Sequence, residues 1–177
     1  TAMQKSVEVN GLEGRIKIHN QGVGAAPGKA KIIHEDRSNL GAQALAVDTG
    51  PNATIDIVRL DDIDFTDDVN AIKIDVEGME LDVLEGARQL IMQDLPLLYV
   101  ECQSKSDFHR VATWMKGNGF LYRQSFNATP THLFIHESQV EDADLPGTTL
   151  IELREGVYDK DQSLKEKKDK LHATNET

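Results

Sequence analysis

The chain has 177 residues, of which 39% are hydrophobic and 28% are charged, and its formal net charge at pH 7 is -11. This length and composition are typical of one globular domain with a real core, and no apolar run approaches the roughly 20 residues that a membrane-spanning helix needs. The single cysteine excludes an internal disulfide framework and a multi-cysteine metal site, and a lone thiol is typical of a reducing, cytoplasmic compartment.

The excess of negative charge lies entirely in the first 158 residues, which carry 14 Lys and Arg against 25 Asp and Glu. Residues 159–177 are balanced in charge and low in apolar content, so we interpret 1–158 as an α/β domain and 159–177 as a polar, charged tail. A body this acidic is repelled by nucleic-acid phosphates and by anionic lipid, which predicts that neither nucleic acid nor a membrane is a partner.

In the first half of the chain, the pattern predicts one helix end and three strands. Residues 3–10 resemble the last turns of a helix that Gly11 ends. Strands with alternating polar and apolar residues are predicted at 15–19, 29–35 and 54–60. Residues 36–53 are rich in Gly, Asn, Asp and Ser and are predicted to form a loop.

The second half shows a more regular pattern. We predict, in this order, a strand at 70–76, a helix at 80–93, a strand at 97–100, a helix at 106–116 and an antiparallel pair of strands at 121–126 and 132–136. The run 97–100 is apolar throughout, which is typical of a strand buried on both faces. Ser106 or Asp107 is expected to cap the second helix.

Strands that alternate with helices from residue 70 onward indicate a parallel sheet that helices cover on both faces. Ligands of such sheets bind at the carboxyl ends of the strands, which is where the pattern places Asp75 and Glu101. These two acids are therefore the first candidates for a functional site.

The segment from Ile72 to Ala87 and the strand after it carry the most specific motif of the chain. Its spacing is Lys-x-Asp-x-Glu-Gly-x-Glu, followed by a helix with Leu and Gly-Ala and by a strand that ends in Glu. The matching residues are Lys73, Asp75, Glu77, Gly78, Glu80, Leu84, Gly86, Ala87 and Glu101. This motif resembles the FkbM family of S-adenosylmethionine-dependent methyltransferases, and the likeness covers roughly residues 5–137.

The resemblance implies a Rossmann-like class I methyltransferase sheet, mostly parallel, with a C-terminal antiparallel hairpin. In that family a glycine-rich turn and a ribose-binding acid hold the cofactor. Both would precede Met3, so we expect the N-terminal strands and the glycine motif to be absent from this chain. The cofactor-binding residues that remain are Gln21, Gly22 and Asp75, and we expect the isolated chain to bind S-adenosylmethionine weakly or not at all.

Methyl transfer to a hydroxyl group is an in-line displacement that needs a positioned acceptor and often a base. We expect Asp75, Glu77 and Glu101 to gather at one sheet edge as catalytic residues, with the alternative that their oxygens bind a hard cation. A structural alternative for Asp75 and Glu77 is a cap on the helix that starts near Gly78. Glu80 is typical of a first-turn partner of the helix dipole.

The remaining candidates are interpreted as structural. His132 and His136 share a strand face but lack a third ligand at a suitable spacing, and residues 61–68 lack the glycine and glutamate of a calcium loop. Residues 61–68 are therefore interpreted as a solvated acidic turn, Cys102 as a small buried residue, and no metal site is predicted.

The resemblance implies that the function is O-methylation of a hydroxyl on a sugar or secondary metabolite, with S-adenosylmethionine as the donor and a small molecule or sugar as the acceptor. One alternative is a methyltransferase-like domain without activity that serves as a structural or interaction module. Another is an acidic metal-binding domain built on Asp75 and residues 61–68.

The family's strand order also makes a prediction about partners. It places the absent strands between the strands at 15–19 and 70–76, so that each of these two would face a gap. Unpaired buried backbone groups cost ~1–3 kcal/mol each, so the gap must close, either by direct pairing of the two strands or by association. We expect association, and hence a homodimer or an aggregation-prone monomer.

Overall fold

The computed structural model describes residues 1–34, 43–48, 50–126 and 130–140. Its helices are α1 (Ala2–Val9), α2 (Glu80–Gly86), α3 (Arg88–Asp94) and α4 (Lys105–Gly117). Its strands are β1 (Gly22–Val23), β2 (Gly28–His34), β3 (Gln43–Val47), β4 (Ile55–Val58), β5 (Ala71–Ile74), β6 (Leu97–Glu101), β7 (Phe120–Phe126) and β8 (Thr131–His136). Short 3-10 turns lie at Leu60–Asp62 and Glu137–Gln139. The predicted tail at 159–177 lies outside the described residues.

The described strands form two four-stranded sheets. The first has the order β1-β4-β2-β3, in which only β1 and β4 are parallel, and the second has the order β5-β6-β8-β7, in which only β5 and β6 are parallel. The expectation of a mostly parallel sheet is therefore wrong, because β8 returns antiparallel beside β6. The predicted C-terminal antiparallel hairpin is confirmed by the pairing of β7 with β8.

The first sheet departs from the sequence prediction at two places. The strand expected at 15–19 is absent, since the amides of Arg15 and Ile16 both donate to the Leu12 carbonyl at 2.9 Å and form a turn. The alternation of polar and apolar residues predicted a strand there. Ile16 is however 45% exposed, so the segment has no buried apolar face. The loop predicted at 36–53 contains β3, which gains its pairing partner only in the folded sheet, from β2.

The helix predicted at 80–93 is two helices that meet at Ala87. The break is stabilised from outside the helix, because the Asp61 carboxylate accepts hydrogen bonds from the amides of Gln89 and Leu90 at 3.2 and 3.0 Å and so caps α3. The cap of α4 is Ser104, whose hydroxyl accepts from the Asp107 amide at 3.1 Å, rather than Ser106 or Asp107.

The core lies between the second sheet and helices α2 to α4. Its fully buried side chains include Leu84, Ile91, Leu98, Phe108, Met115, Phe120 and Phe134. In β6 burial alternates, with Leu98 and Val100 fully buried and Tyr99 half-buried, so the prediction of a strand buried on both faces is wrong. Only one face of β6 packs against the core helices. No described helix is long and apolar enough to cross a membrane.

Candidate active site

The parallel pairing of β5 with β6 brings acidic residues together at the carboxyl ends of the two strands. The register pairs Ile74 with Val100, so that Asp75 and Glu101 follow side by side. Lys73 lies between their carboxylates, with its Nζ 2.6 Å from Asp75 Oδ2 and 3.7 Å from Glu101 Oε2. Asp75 and Glu101 therefore lie at the edge of the sheet where the sequence placed them, and their catalytic role stays a prediction.

Glu77 joins this cluster through an unusual backbone turn. Its φ is +52°, a left-handed conformation that is uncommon for a residue with a side chain, and Gly78 follows at φ +106°. A Cβ at Gly78 would meet nothing within 4 Å, so the glycine serves the backbone conformation and not the close approach of another chain segment. The Glu77 carboxylate accepts a hydrogen bond from the Gln103 side-chain amide, which fixes it beside the end of β6.

Glu80 stabilises the same turn. Its side chain is buried, and Oε1 accepts a hydrogen bond from the Gly78 amide at 2.9 Å. Glu80 lies in the first turn of α2, where it was expected as a partner of the helix dipole, and it also satisfies a backbone donor of the turn. Helix α2 begins after Met79 without a side-chain cap, so neither Asp75 nor Glu77 caps it.

The electrostatics of the cluster differ from residue to residue. Partial burial raises the pKa of Glu101, and the neighbouring carboxylates of Asp75 and Glu77 raise it further against the opposing effect of Lys73. The hydrogen bond to Asp75 is the main cause that raises the pKa of Lys73. A carboxylate with a raised pKa is the stronger proton acceptor once it is ionised, so Glu101 is the group best suited to act as a general base.

Sequence reasoning missed Gln103 and gave Lys73 no role. Lys73 lies two residues before Asp75 on the same side of the strand, a spacing visible in the sequence. Gln103 follows two residues after Glu101, at the edge already singled out. Both were therefore detectable as polar residues close to the strand ends.

The predicted cofactor-binding residues are divided between the two sheets. Gln21 is exposed and Gly22 is buried at the start of β1, in the first sheet, whereas Asp75 lies in the cluster at the end of β5. Gly22 has a packing reason for lacking a side chain, because a Cβ there would come within 2.7 Å of Leu45 Cδ1. The role of these three residues in cofactor binding stays a prediction.

The alternatives for metal binding gain no support in the described parts of the chain, where no group of three His, Cys, Asp or Glu could hold a metal ion. His132 is fully buried with Nδ1 2.7 Å from the Ser125 hydroxyl, and His136 Nδ1 lies 2.8 Å from Ser138 Oγ. Cys102 is buried as predicted, and burial raises the pKa of its thiol. Asp61 belongs to the structural cap of α3 and not to a solvated turn.

Comparisons with known proteins identify the family to which this chain belongs. A model of the methyltransferase FkbM domain matches residues 2–122, and the chain therefore belongs to the FkbM methyltransferase family. It is 27% identical over 147 residues to "Methyltransferase 1" of Beauveria bassiana (strain ARSEF 2860), a match covering 68% of this chain and 57% of that protein. The chain thus spans a little over half the length of this relative.

A solved structure shares the fold. The crystal structure of Methyltransferase FkbM from Methylobacillus flagellatus KT matches with a TM-score of 0.51 and 22% sequence identity, covering 76% of this chain and 32% of that chain. At this identity the likeness is one of fold.

Proposed function

We propose that this chain takes part in S-adenosylmethionine-dependent O-methylation of a hydroxyl group on a sugar or secondary metabolite. The observation that carries the proposal is the cluster of Asp75, Glu77 and Glu101 around Lys73 at the ends of two adjacent parallel strands, in a chain of a methyltransferase family. The second sheet is accordingly proposed to be the C-terminal part of a Rossmann-like class I methyltransferase fold, acting in the cytoplasm.

The residues present fit a cationic donor that carries ribose hydroxyls. Three carboxylates against one lysine attract a sulfonium ion, and carboxylate oxygens accept hydrogen bonds from hydroxyl groups. The same excess of negative charge disfavours acceptors with phosphate or carboxylate groups. This supports a neutral, hydroxyl-rich acceptor.

When bound, S-adenosylmethionine supplies an electrophilic methyl group. Glu101 takes the proton of the acceptor hydroxyl, because partial burial and the neighbouring carboxylates raise its pKa and so make its ionised form a better proton acceptor. Lys73 fixes the carboxylates of Asp75 and Glu101 relative to each other. Glu77, held by Gln103, accepts a hydrogen bond from a second hydroxyl of the acceptor and orients it.

The test is transfer of a tritiated methyl group from S-adenosylmethionine, at millimolar concentration, to a panel of free monosaccharides and methyl glycosides. We expect incorporation as a methyl ether, and the variant Glu101→Gln should lower the rate by about 100-fold through loss of the base. Glu8→Gln, at an exposed acid of α1, is the matched control and should leave the rate unchanged. The wild-type rate should rise with pH as Glu101 loses its proton.

Two results would overturn this proposal. With an amino sugar and a uronic acid added to the panel, recovery of the label on nitrogen or as a methyl ester would refute methylation of a hydroxyl group. Calorimetry that detects no heat of binding with millimolar S-adenosylmethionine, together with no transfer, would instead support the alternative of a methyltransferase-like structural or interaction module.

A further inference from the structure

Glu80 is a buried carboxylate that the proposed reaction does not use. The residue is 5% exposed, and Oε1 accepts a hydrogen bond from the Gly78 amide at 2.9 Å. Within the described residues, the Glu80 carboxylate accepts no other hydrogen bond and forms no ion pair. Burial of a carboxylate that has a single hydrogen-bond partner costs free energy, so stability alone does not explain an acid at this position.

The position of Glu80 in α2 does not explain its burial either. Asp82 lies in the same first turn and is exposed, so an acid interacts with the helix dipole there without being buried. Glu80 differs from Asp82 in what it contacts, which is the peptide amide that joins Glu77 to Gly78. A partner of the helix dipole requires only a charge, whereas this contact requires an acceptor oxygen at one place.

The peptide that Glu80 holds joins two residues with positive φ. Glu77 has φ +52° and Gly78 has φ +106°. The left-handed conformation is unfavourable for a residue with a Cβ, so Glu77 keeps it only where the surrounding contacts impose it. The Gly78 amide follows Glu77 directly, so fixing the direction of this amide also fixes the backbone of Glu77.

The conformation of Glu77 decides where its carboxylate lies. In the observed turn the carboxylate accepts a hydrogen bond from the Gln103 side chain beside the end of β6. After partial burial and the charge of Asp75, the charge of Glu77 also raises the pKa of Glu101. A change of Glu77 to negative φ would turn its side chain in another direction and end both interactions. Glu80 therefore acts on the acid cluster through the backbone of the turn.

We infer that Glu80 is a positioning residue of the proposed methyl transfer, because its hydrogen bond from Gly78 holds Glu77 in the left-handed conformation that presents the Glu77 carboxylate to the acceptor. The inference rests on the proposed function, in which Glu77 orients the acceptor through a second hydroxyl group. Glu80 acts through Glu77 and needs no contact with the acceptor. The role requires an acceptor oxygen and no charge, so glutamine fulfils it and alanine does not.

The kinetic test uses the methyl glycoside that the wild-type chain methylates fastest and compares its KM with the KM for S-adenosylmethionine. Glu80→Ala should raise the glycoside KM about tenfold and leave the S-adenosylmethionine KM unchanged, because Glu77 orients the acceptor. Glu80→Gln keeps the acceptor oxygen and should stay within about twofold of the wild-type chain. Asp82→Asn is the matched control in the same helical turn and should leave both constants unchanged.

Two kinetic results would overturn the inference. Equal effects of Glu80→Ala and Glu80→Gln would show that the charge of Glu80 matters and not its hydrogen bond. Equal effects of Glu80→Ala and Asp82→Asn would show that both acids act only on the helix dipole.

A carbon-13 NMR titration of Glu101 needs no activity and separates this inference from the proposed function. Glu80→Ala should lower the pKa of Glu101 toward the ordinary range of glutamate because Glu77 moves away from it, whereas Glu80→Gln should leave it unchanged. Gly78→Ala strains the same turn and keeps Glu80, so it should lower this pKa as well.

A Glu101 pKa that neither Glu80→Ala nor Gly78→Ala changes overturns the inference. A wild-type chain that transfers no methyl group overturns the proposed function, and the pKa values then decide by themselves whether Glu80 holds Glu77 in place.

Discussion

The two sheets of this protein differ sharply in how they are stabilised. The second sheet and its three helices contain a continuous core of fully buried aliphatic and aromatic side chains. In the first sheet Ala30 and Ile57 are buried, whereas Ile32, Ile33 and Val47 remain 43%, 38% and 68% exposed. Because burial of apolar area is the main stabilising term, the second sheet is the cohesive unit and the first depends on its contacts with it. The candidate site is built on the cohesive unit.

The largest expected effect tests this difference directly. Leu98→Ala removes a fully buried side chain of β6 and should lower the free energy of unfolding by about 3 kcal/mol, through lost burial and a cavity. Ile32→Ala in β2 is the matched change in the first sheet and should cost less than about 1 kcal/mol. Urea denaturation measures both. Equal losses would show that the two sheets share one core.

The next largest loss of stability is expected at the contact between α2 and the segment just after β1. A Cβ at Gly86 of α2 would overlap the carbonyl oxygen of Gly24, just after β1, so Gly86→Ala should cost about 3 kcal/mol although alanine favours helix. The absence of a side chain at Gly86 therefore permits the close approach of these two backbone segments. Gly117→Ala in α4 meets nothing within 4 Å and should be neutral or slightly stabilising. If thermal melts show no loss of stability for Gly86→Ala, the two sheets lie farther apart than this close contact implies.

Asp61 links the two regions by hydrogen bonds. Its carboxylate, 2% exposed, accepts from Arg59 and from two amides of α3, so Asp61→Ala should cost about 2 kcal/mol by leaving these donors without an acceptor. Asp64→Ala, at an exposed acid of the same segment, is the control and should change stability by less than about 0.5 kcal/mol. If chemical denaturation shows the same small loss of stability for Asp61→Ala and Asp64→Ala, Asp61 is part of the solvated turn that the sequence predicted and does not stabilise α3.

The accuracy of the sequence predictions also differs between the two sheets. In the second sheet, every predicted strand and helix has a counterpart, because apolar periodicity reports burial and this region is buried. Asp75 and Glu101 were placed at one edge because the carboxyl ends of adjacent parallel strands meet at the same edge of a sheet. In the first sheet, alternation without burial produced a false strand at 15–19, and the polar, glycine-rich composition of 36–53 predicted a loop where β3 lies.

The other errors have one physical cause, which is that partners distant in sequence decide local structure. The break at Ala87 depends on Asp61, which lies 29 residues before Leu90 in the chain. The alternating burial of β6 depends on which face the helices cover, and four consecutive apolar residues do not encode that. Gln103 reaches Glu77 across 26 residues of sequence, so no local pattern links them.

A smaller effect should appear in the pH dependence of stability. Glu101 binds its proton more tightly in the folded chain, because its pKa is raised there, so its contribution to stability is present below its unfolded pKa and is lost as pH rises through the folded value. The contribution of Glu85 to stability depends on pH in the opposite direction. Arg88 lowers the pKa of Glu85, so this contribution is lost as pH falls. Glu101→Gln should remove the loss of stability that occurs as pH rises and should leave the loss at low pH unchanged. Urea denaturation midpoints measured across the pH range test this.

The most direct test of the candidate site is a carbon-13 NMR titration of its glutamate carboxyls. The pKa of Glu101 should lie above the ordinary range of glutamate, and Asp75→Asn should move it back toward that range, because Asp75 is one of the charges that raise it. Glu85 in the same spectra should titrate below that range and should not respond to Asp75→Asn. A Glu101 pKa that is ordinary or lowered, or that Asp75→Asn leaves unchanged, would contradict the electrostatic coupling on which the proposed site depends.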